Sequence, residues 1–189
     1  MDLKFDPFPI LESERLIFRK VTQDDAPEIL ELRGDPVLMR YIPRPLAKNL
    51  EEARAYISML EDNLSEGQHV NWGIVPKWHG KLVGTAGLFR IQPHNFRCEI
   101  GYMLLGDFHG MGLATEAVDT LLTYAFQNLG FHSVEAVIDP ENTASEQVLV
   151  KSGFVREGFI KENCYWDGKF LDSAVYSILK RNHKAGQIQ

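Results

Sequence analysis

Gly110 and Gly112 stand just ahead of Leu113, Ala117, Leu121, Leu122, Ala125, Phe126 and Leu129, which recur at helical spacing. Before them, Cys98 to Leu105 is short, apolar and rich in β-branched and aromatic residues, the signature of a strand. A strand, two glycines and a helix start together can bind an anion. The glycines let a ligand approach the main chain closely. The first amides of a helix lack intrahelical partners and lie at the positive end of its dipole. His109, Gly110, Met111, Gly112, Leu113, Ala114 and Thr115 are therefore a candidate cradle for a phosphate or pyrophosphate. The same glycines equally suit a tight strand-to-helix turn with no ligand.

The elements that must position this turn read as follows. Arg15 to Val21 alternates as a first strand. Thr22 or Asp24 caps a helix that stops at Gly34, and Asp35 to Arg40 forms a short helical turn. Asn49 to Glu52 resembles a capping box ahead of an amphipathic helix with Ala53, Tyr56, Ile57, Leu60 and Leu64. These two helices can wall a cleft lined by Tyr41, Arg44 and Tyr56, whose alternative role is packing and surface charge. Val70 to Trp78 and Lys81 to Arg90 predict a hairpin turning at His79-Gly80, and Phe96 to Leu105 completes a meander. The helix after the glycines runs from Gly112 to Asn128 and ends at Gly130. Ser133 to Ile138 is the next strand, reached by a parallel crossover. A helix from Asn142 to Lys151 follows, then a hairpin of Phe154 to Trp166 and Phe170 to Leu179 turning at Asp167-Gly168, and a polar tail from Lys180 to Gln189.

The chain has 189 residues, 44% hydrophobic and 24% charged, which suits one globular domain. No apolar run is long enough to span a bilayer, and the N-terminus does not read as a signal peptide, so no membrane association is expected and a cytoplasmic home follows by default. Cys98 and Cys164 make neither a disulfide framework nor a metal spacing, and both are expected as buried free thiols. The histidines are scattered, and no metal is expected. The net charge of −6 argues against nucleic acid as a partner and is compatible with an amine substrate.

Among phosphate binders, a P-loop needs Gly-Lys-Ser/Thr, which Gly112-Leu113-Ala114 does not supply. Three antiparallel strands ahead of the turn also leave too little chain for a doubly wound sheet. The stretches Asn142-Thr143-Ala144-Ser145, Lys151-Ser152-Gly153-Phe154-Val155 and Glu157-Gly158 resemble the end of the GNAT acyl-CoA N-acetyltransferase domain. His109-Met111-Gly112-Ala114 resembles that superfamily's Arg/Gln-x-x-Gly-x-Gly/Ala turn, with His in place of Arg or Gln. Gly110, Ala114-Thr115-Glu116-Ala117, Glu14 to Arg19 and Asp167 to Asp172 resemble the branch that acetylates ribosomal-protein N-termini. The resemblance covers about Leu11 to Leu179.

It implies a GNAT-like α+β fold: a central, mostly antiparallel mixed sheet of about six or seven strands with about four helices, splayed between the strands ending near Leu105 and Ile138. The whole chain, 1–189, is then a single N-acetyltransferase domain with its core at about 11–180. The implied co-substrate is acetyl-CoA, and the implied acceptor is a protein N-terminus or a small amine such as a polyamine or antibiotic. A non-catalytic acetyl-CoA-binding module is the remaining alternative. Monomer or homodimer is expected. In the resemblance, the pantetheine pairs with the backbone of Met103, Leu104 and Leu105, and the pyrophosphate sits on His109 to Thr115. Asn142 reaches the pantetheine arm or caps its helix, and Lys151 is a further CoA contact. Ser145 is the candidate proton donor to the CoA sulfur or a positioner of it, because Leu149 stands where many members carry a tyrosine, or else a plain helix-surface serine. Glu99 is the candidate base, or else a solvent-facing strand carboxylate. Arg97, His94 and Tyr102 are candidates to position the acceptor.

Overall fold

Eight strands line up in one mixed sheet in the order β1-β2-β3-β4-β5-β6-β8-β7. They are β1 (Leu11–Glu12), β2 (Leu16–Lys20), β3 (Val70–Pro76), β4 (Gly84–Gln92), β5 (Arg97–Leu104), β6 (Ser133–Ile138), β7 (Val155–Trp166) and β8 (Lys169–Leu179). Four α-helices accompany them: α1 (Ala26–Gly34), α2 (Leu50–Ser65), α3 (Leu113–Thr123) and α4 (Thr143–Lys151). The chain is seen here as a computed structural model that describes residues 3, 5–67 and 69–184. Residues 185–189 of the expected polar tail lie outside the described residues.

Each face of the sheet carries its own core. Trp72, Leu88 and Ile100 meet Leu121, Phe126 and Leu149 from the α3 and α4 side. Val75, Leu82 and Leu105 meet Ile29, Leu32, Ala53 and Ile57 from α1 and α2 on the other. The turn chemistry is legible locally. The Asn49 side chain accepts from the Glu52 amide at the start of α2, satisfying an amide that the helix leaves free. Asp167 and Gly168 both adopt positive φ, 47° and 78°, between the paired Trp166 and Lys169. That is the twist a two-residue hairpin requires.

The structure corrects several expectations. The fold is GNAT-like as expected, but the two-residue β1, pairing with Phe18 and Ile17, brings the strands to eight. The segment expected as one α-helix to Asn128 widens into a π-turn over Tyr124–Asn128. This carries the Tyr124 ring edge-on to Trp72 at 5.6 Å while Ala125 and Phe126 stay buried. Residues 77–83 form a longer connection than a two-residue turn at His79-Gly80, because the β3–β4 ladder closes at Ile74 and Gly84. Cys98 is buried, whereas Cys164 on the outer strand β7 is only half-buried.

Candidate active site

The parallel ladder between β5 and β6 has three rungs, Arg97 with Ser133, Cys98 with Val134 and Glu99 with Glu135. Beyond Glu99 the two strands diverge. β5 continues to Leu104 on β4, and β6 continues to Ile138 on β8. A slot opens in the middle of the sheet with Glu99 and Glu135 at its apex. The β4–β5 register fixes which groups face the slot. The Leu105 amide donates to Val83, so by alternation Met103 and Leu105 turn their main-chain groups toward β4, and Tyr102 and Leu104 turn theirs toward the slot.

Glu99 lies on one face of the slot with its side chain 18% exposed. Burial raises its carboxyl above the ordinary glutamate value. The facing Glu135 raises it further, and Arg90 opposes both. A bulge between Phe89 and Gln92, with Arg90 at φ 45°, brings the Arg90 Nη1 to 3.1 Å from the Glu99 Oε2. The contact is ionic without hydrogen-bond alignment, so Oε2 is a buried acceptor without a hydrogen-bond donor among the described residues. Arg97 pairs with Glu135 and neutralises it.

Tyr102 projects from β5 on the opposite face, among the core of α3 and α4. Its hydroxyl lies 2.9 Å from the Ser145 Oγ, a contact in which either oxygen can donate, and 3.2 Å from the Ser145 carbonyl, which competes for the same phenol proton. Burial pushes the Tyr102 phenol up to about 12, with the Ser145 hydrogen bond working against it. The Asn142 Oδ1 accepts from the Ser145 amide at 3.1 Å, so Asn142 caps α4 and fixes Ser145 in its first turn. Lys151 is exposed at the far end of α4, about 13 Å along the axis from Asn142 by the helical rise.

At the α3 end, Gly110 and Gly112 both take positive φ, 73° and 76°. The N–H groups of Gly110, Met111, Gly112, Leu113, Ala114 and Thr115 have no hydrogen-bond acceptor among the described residues; the first α3 amide to bond is Glu116, to Gly112. The His109 side chain turns back, its Nε2 2.9 Å from the Leu104 carbonyl. A concave row of free amides therefore lies at the open end of the slot. That row fits a diphosphate, and the exposed β5 edge fits an extended amide-bearing arm.

Residues 15–155 match the family model described as acetyltransferase (GNAT) domain. The chain belongs to the GNAT acetyltransferase family. It is 33% identical over 173 residues to an uncharacterized N-acetyltransferase, YoaA, of Bacillus subtilis (strain 168), covering 92% of this chain and 98% of that one. A crystal structure of a GNAT-family acetyltransferase from Bacillus anthracis superposes with a TM-score of 0.81 at 27% identity, covering 92% of this chain and 99% of that one. Two Escherichia coli (strain K12) relatives are each 23% identical. They are the [ribosomal protein uS5]-alanine N-acetyltransferase over 176 residues (89% of each chain) and the spermidine N(1)-acetyltransferase over 168 residues (88% and 87%).

This GNAT enzyme is an acyltransferase that uses acetyl-CoA as donor to an amine. Within it the other sequence candidates separate. Tyr56 is packed under the Arg33 guanidinium, 4.2 Å from its ring centre, and serves the α1–α2 core rather than a cleft. Tyr41 lies beside the Arg40 guanidinium, and the Arg44 Nη1 donates to the Pro43 carbonyl. His94 lies exposed in a 3-10 turn of Pro93–Asn95. Tyr102, expected to help position the acceptor, reaches Ser145 on the face away from Glu99. Arg15 was missed altogether. Its Nε meets the Glu116 Oε2 at 2.6 Å and its Nη1 donates to the Met111 carbonyl at 2.9 Å. No spacing rule links positions 101 residues apart.

Proposed function

We propose that the enzyme acetylates a protein N-terminal α-amine, of the ribosomal-protein kind, by direct transfer within a ternary complex. The observation that carries this reading is the end of the β5–β6 ladder at Glu99, beyond which the two strands part and leave a slot between them. Acetyl-CoA lies with its diphosphate on the amides of Gly110 to Thr115 and its pantetheine along the Tyr102 and Leu104 edge of β5. The acceptor arrives on the Glu99 face. Glu99 takes the ammonium proton, directly or through one water, and the freed amine attacks the thioester carbonyl. The C–N bond forms, the C–S bond breaks, the thiolate takes the proton of the Ser145 hydroxyl, and the second proton of the acylated nitrogen passes through water to the Ser145 oxygen, restoring the hydroxyl beside Tyr102.

Two features favour this chemistry. A raised Glu99 carboxyl suits an α-amine, which loses its proton near pH 8, better than a lysine-type amine near pH 10. The buried Cys98 thiol is pushed up by burial and points into the core, so it is a poor nucleophile for an acyl-enzyme. Thiol release measured across N-terminal ribosomal-protein peptides, spermidine, an aminoglycoside and amino-acid amides tests the acceptor. Highest kcat/KM on an N-terminal peptide supports the proposal; highest kcat/KM on spermidine replaces it with polyamine acetylation.

A further inference from the structure

One buried carboxylate ties the β1–β2 turn to the start of α3. Glu116 is 3% exposed, and it accepts from the Ser13 Oγ at 2.7 Å, the Arg15 amide at 2.8 Å and the Arg15 Nε at 2.6 Å. Burial alone would raise its carboxyl, but these hydrogen bonds outweigh burial and hold it below the ordinary value, so it stays ionised. An anion in the first turn of a helix is favoured by the dipole as well.

The clamp sets the Arg15 guanidinium in a fixed pose. Its Nε is held by Glu116 and its Nη1 by the Met111 carbonyl inside the glycine turn. Its Nη2 has no hydrogen-bond partner among the described residues and lies 3.5 Å from where a Cβ on Gly112 would sit. The side chain is 38% exposed, so this remaining donor is accessible beside the free amides. His109, where related turns carry Arg or Gln, is engaged with Leu104 and brings no free donor to the same place.

We propose that Arg15 binds the diphosphate of acetyl-CoA through Nη2, with Glu116 and Ser13 as the residues that aim it. The inference rests on the reading of the Gly110–Thr115 amides as the diphosphate cradle. A planar guanidinium held at Nε and Nη1 presents its Nη2 to phosphate oxygens at little further entropic cost. The amides and the arginine then act together: dipole and main-chain donors on one side of the diphosphate, the Nη2 donors of an ion-paired guanidinium on the other.

Calorimetric titration of CoA, 3′-dephospho-CoA and pantetheine into the wild type, Arg15→Gln and Arg15→Lys tests this. Arg15→Gln is expected to weaken CoA and 3′-dephospho-CoA by about 10- to 100-fold and pantetheine by less than about twofold. Arg15→Lys, which keeps the charge and loses the fork, is expected to fall between. It also serves as the test variant if Arg15→Gln melts below the assay temperature. Equal weakening of CoA and pantetheine would make Arg15 a structural tie only. Weakening of CoA without 3′-dephospho-CoA would move Arg15 to the 3′-phosphate. Either result overturns the proposal. A wild type that binds pantetheine as tightly as CoA would show that the cradle itself is misplaced, a failure separable from the other two.

Discussion

The hydroxyls of Tyr102 and Ser145 meet at 2.9 Å, joining β5 to the first turn of α4 at the slot. Ser145 is a weak acid alone. A phenol held at about 12 remains protonated throughout the working range and can keep donating to it. Ser145→Ala and Tyr102→Phe are each expected to lower kcat by about 10- to 100-fold, with little change in the KM of the acceptor. The double variant is expected to be no slower than the worse single one, because the two act as a unit. Fully additive losses in steady-state kinetics would show two independent roles.

Glu99 faces the other side of the sheet, and its role separates from stability by sign. A carboxyl whose pKa is higher in the folded state binds protons that the unfolded chain has released. Its effect is therefore to reduce stability as pH rises from the ordinary glutamate value through the raised one. Glu99→Gln is expected to lower kcat/KM by about 10²- to 10⁴-fold, to remove the acidic limb of the pH profile, and to melt no lower than wild type at pH 7. A normal pH profile with unchanged kcat/KM would remove Glu99 from the mechanism.

Gly112 caps α3 at φ 76°, in the left-handed region, with space around it for a methyl group. Gly112→Ala is expected to cost about 1 kcal/mol of stability through backbone strain. Its CoA affinity is expected to fall about tenfold or more, because the methyl stands at the mouth of the amide row. Thermal denaturation and titration on the same protein check the two effects. A drop in stability with unchanged CoA affinity would make the glycine a turn residue only.

Glu116 predicts an acid dependence of the opposite sign to Glu99. Its folded-state carboxyl is depressed, so its stabilisation is present at neutral pH and is lost as pH falls from the ordinary glutamate value through the depressed one. Glu116→Gln is expected to cost about 1–3 kcal/mol at pH 7, since Arg15 and Ser13 lose a charged acceptor. The gap in melting temperature between the two proteins is expected to shrink steadily in scans below pH 5. A gap independent of pH would mean that the charge of Glu116 is immaterial.

The local chemistry of the fold could be read ahead of the structure. Ser133–Ile138 is a strand at the expected bounds, Asn49 caps its helix, and Asp167-Gly168 makes the two-residue hairpin. Each is decided by residues within one turn or one strand of itself. What escaped notice is long-range. The pairing of Leu11 with Phe18 depends on an edge already formed by β2, so a two-residue strand leaves no periodic trace. The Tyr102–Ser145 contact spans 43 positions and the Arg15–Glu116 contact 101, and neither has a sequence period. The bulge that brings Arg90 to Glu99 is likewise a product of the β4–β5 register.

A crystal structure with CoA bound tests the central claim most directly. The diphosphate is expected within hydrogen-bonding distance of the amides between Gly110 and Thr115, and the pantetheine along the Tyr102 and Leu104 edge of β5, with its sulfur near Ser145. A diphosphate bound elsewhere, with those amides still facing solvent, would contradict the account.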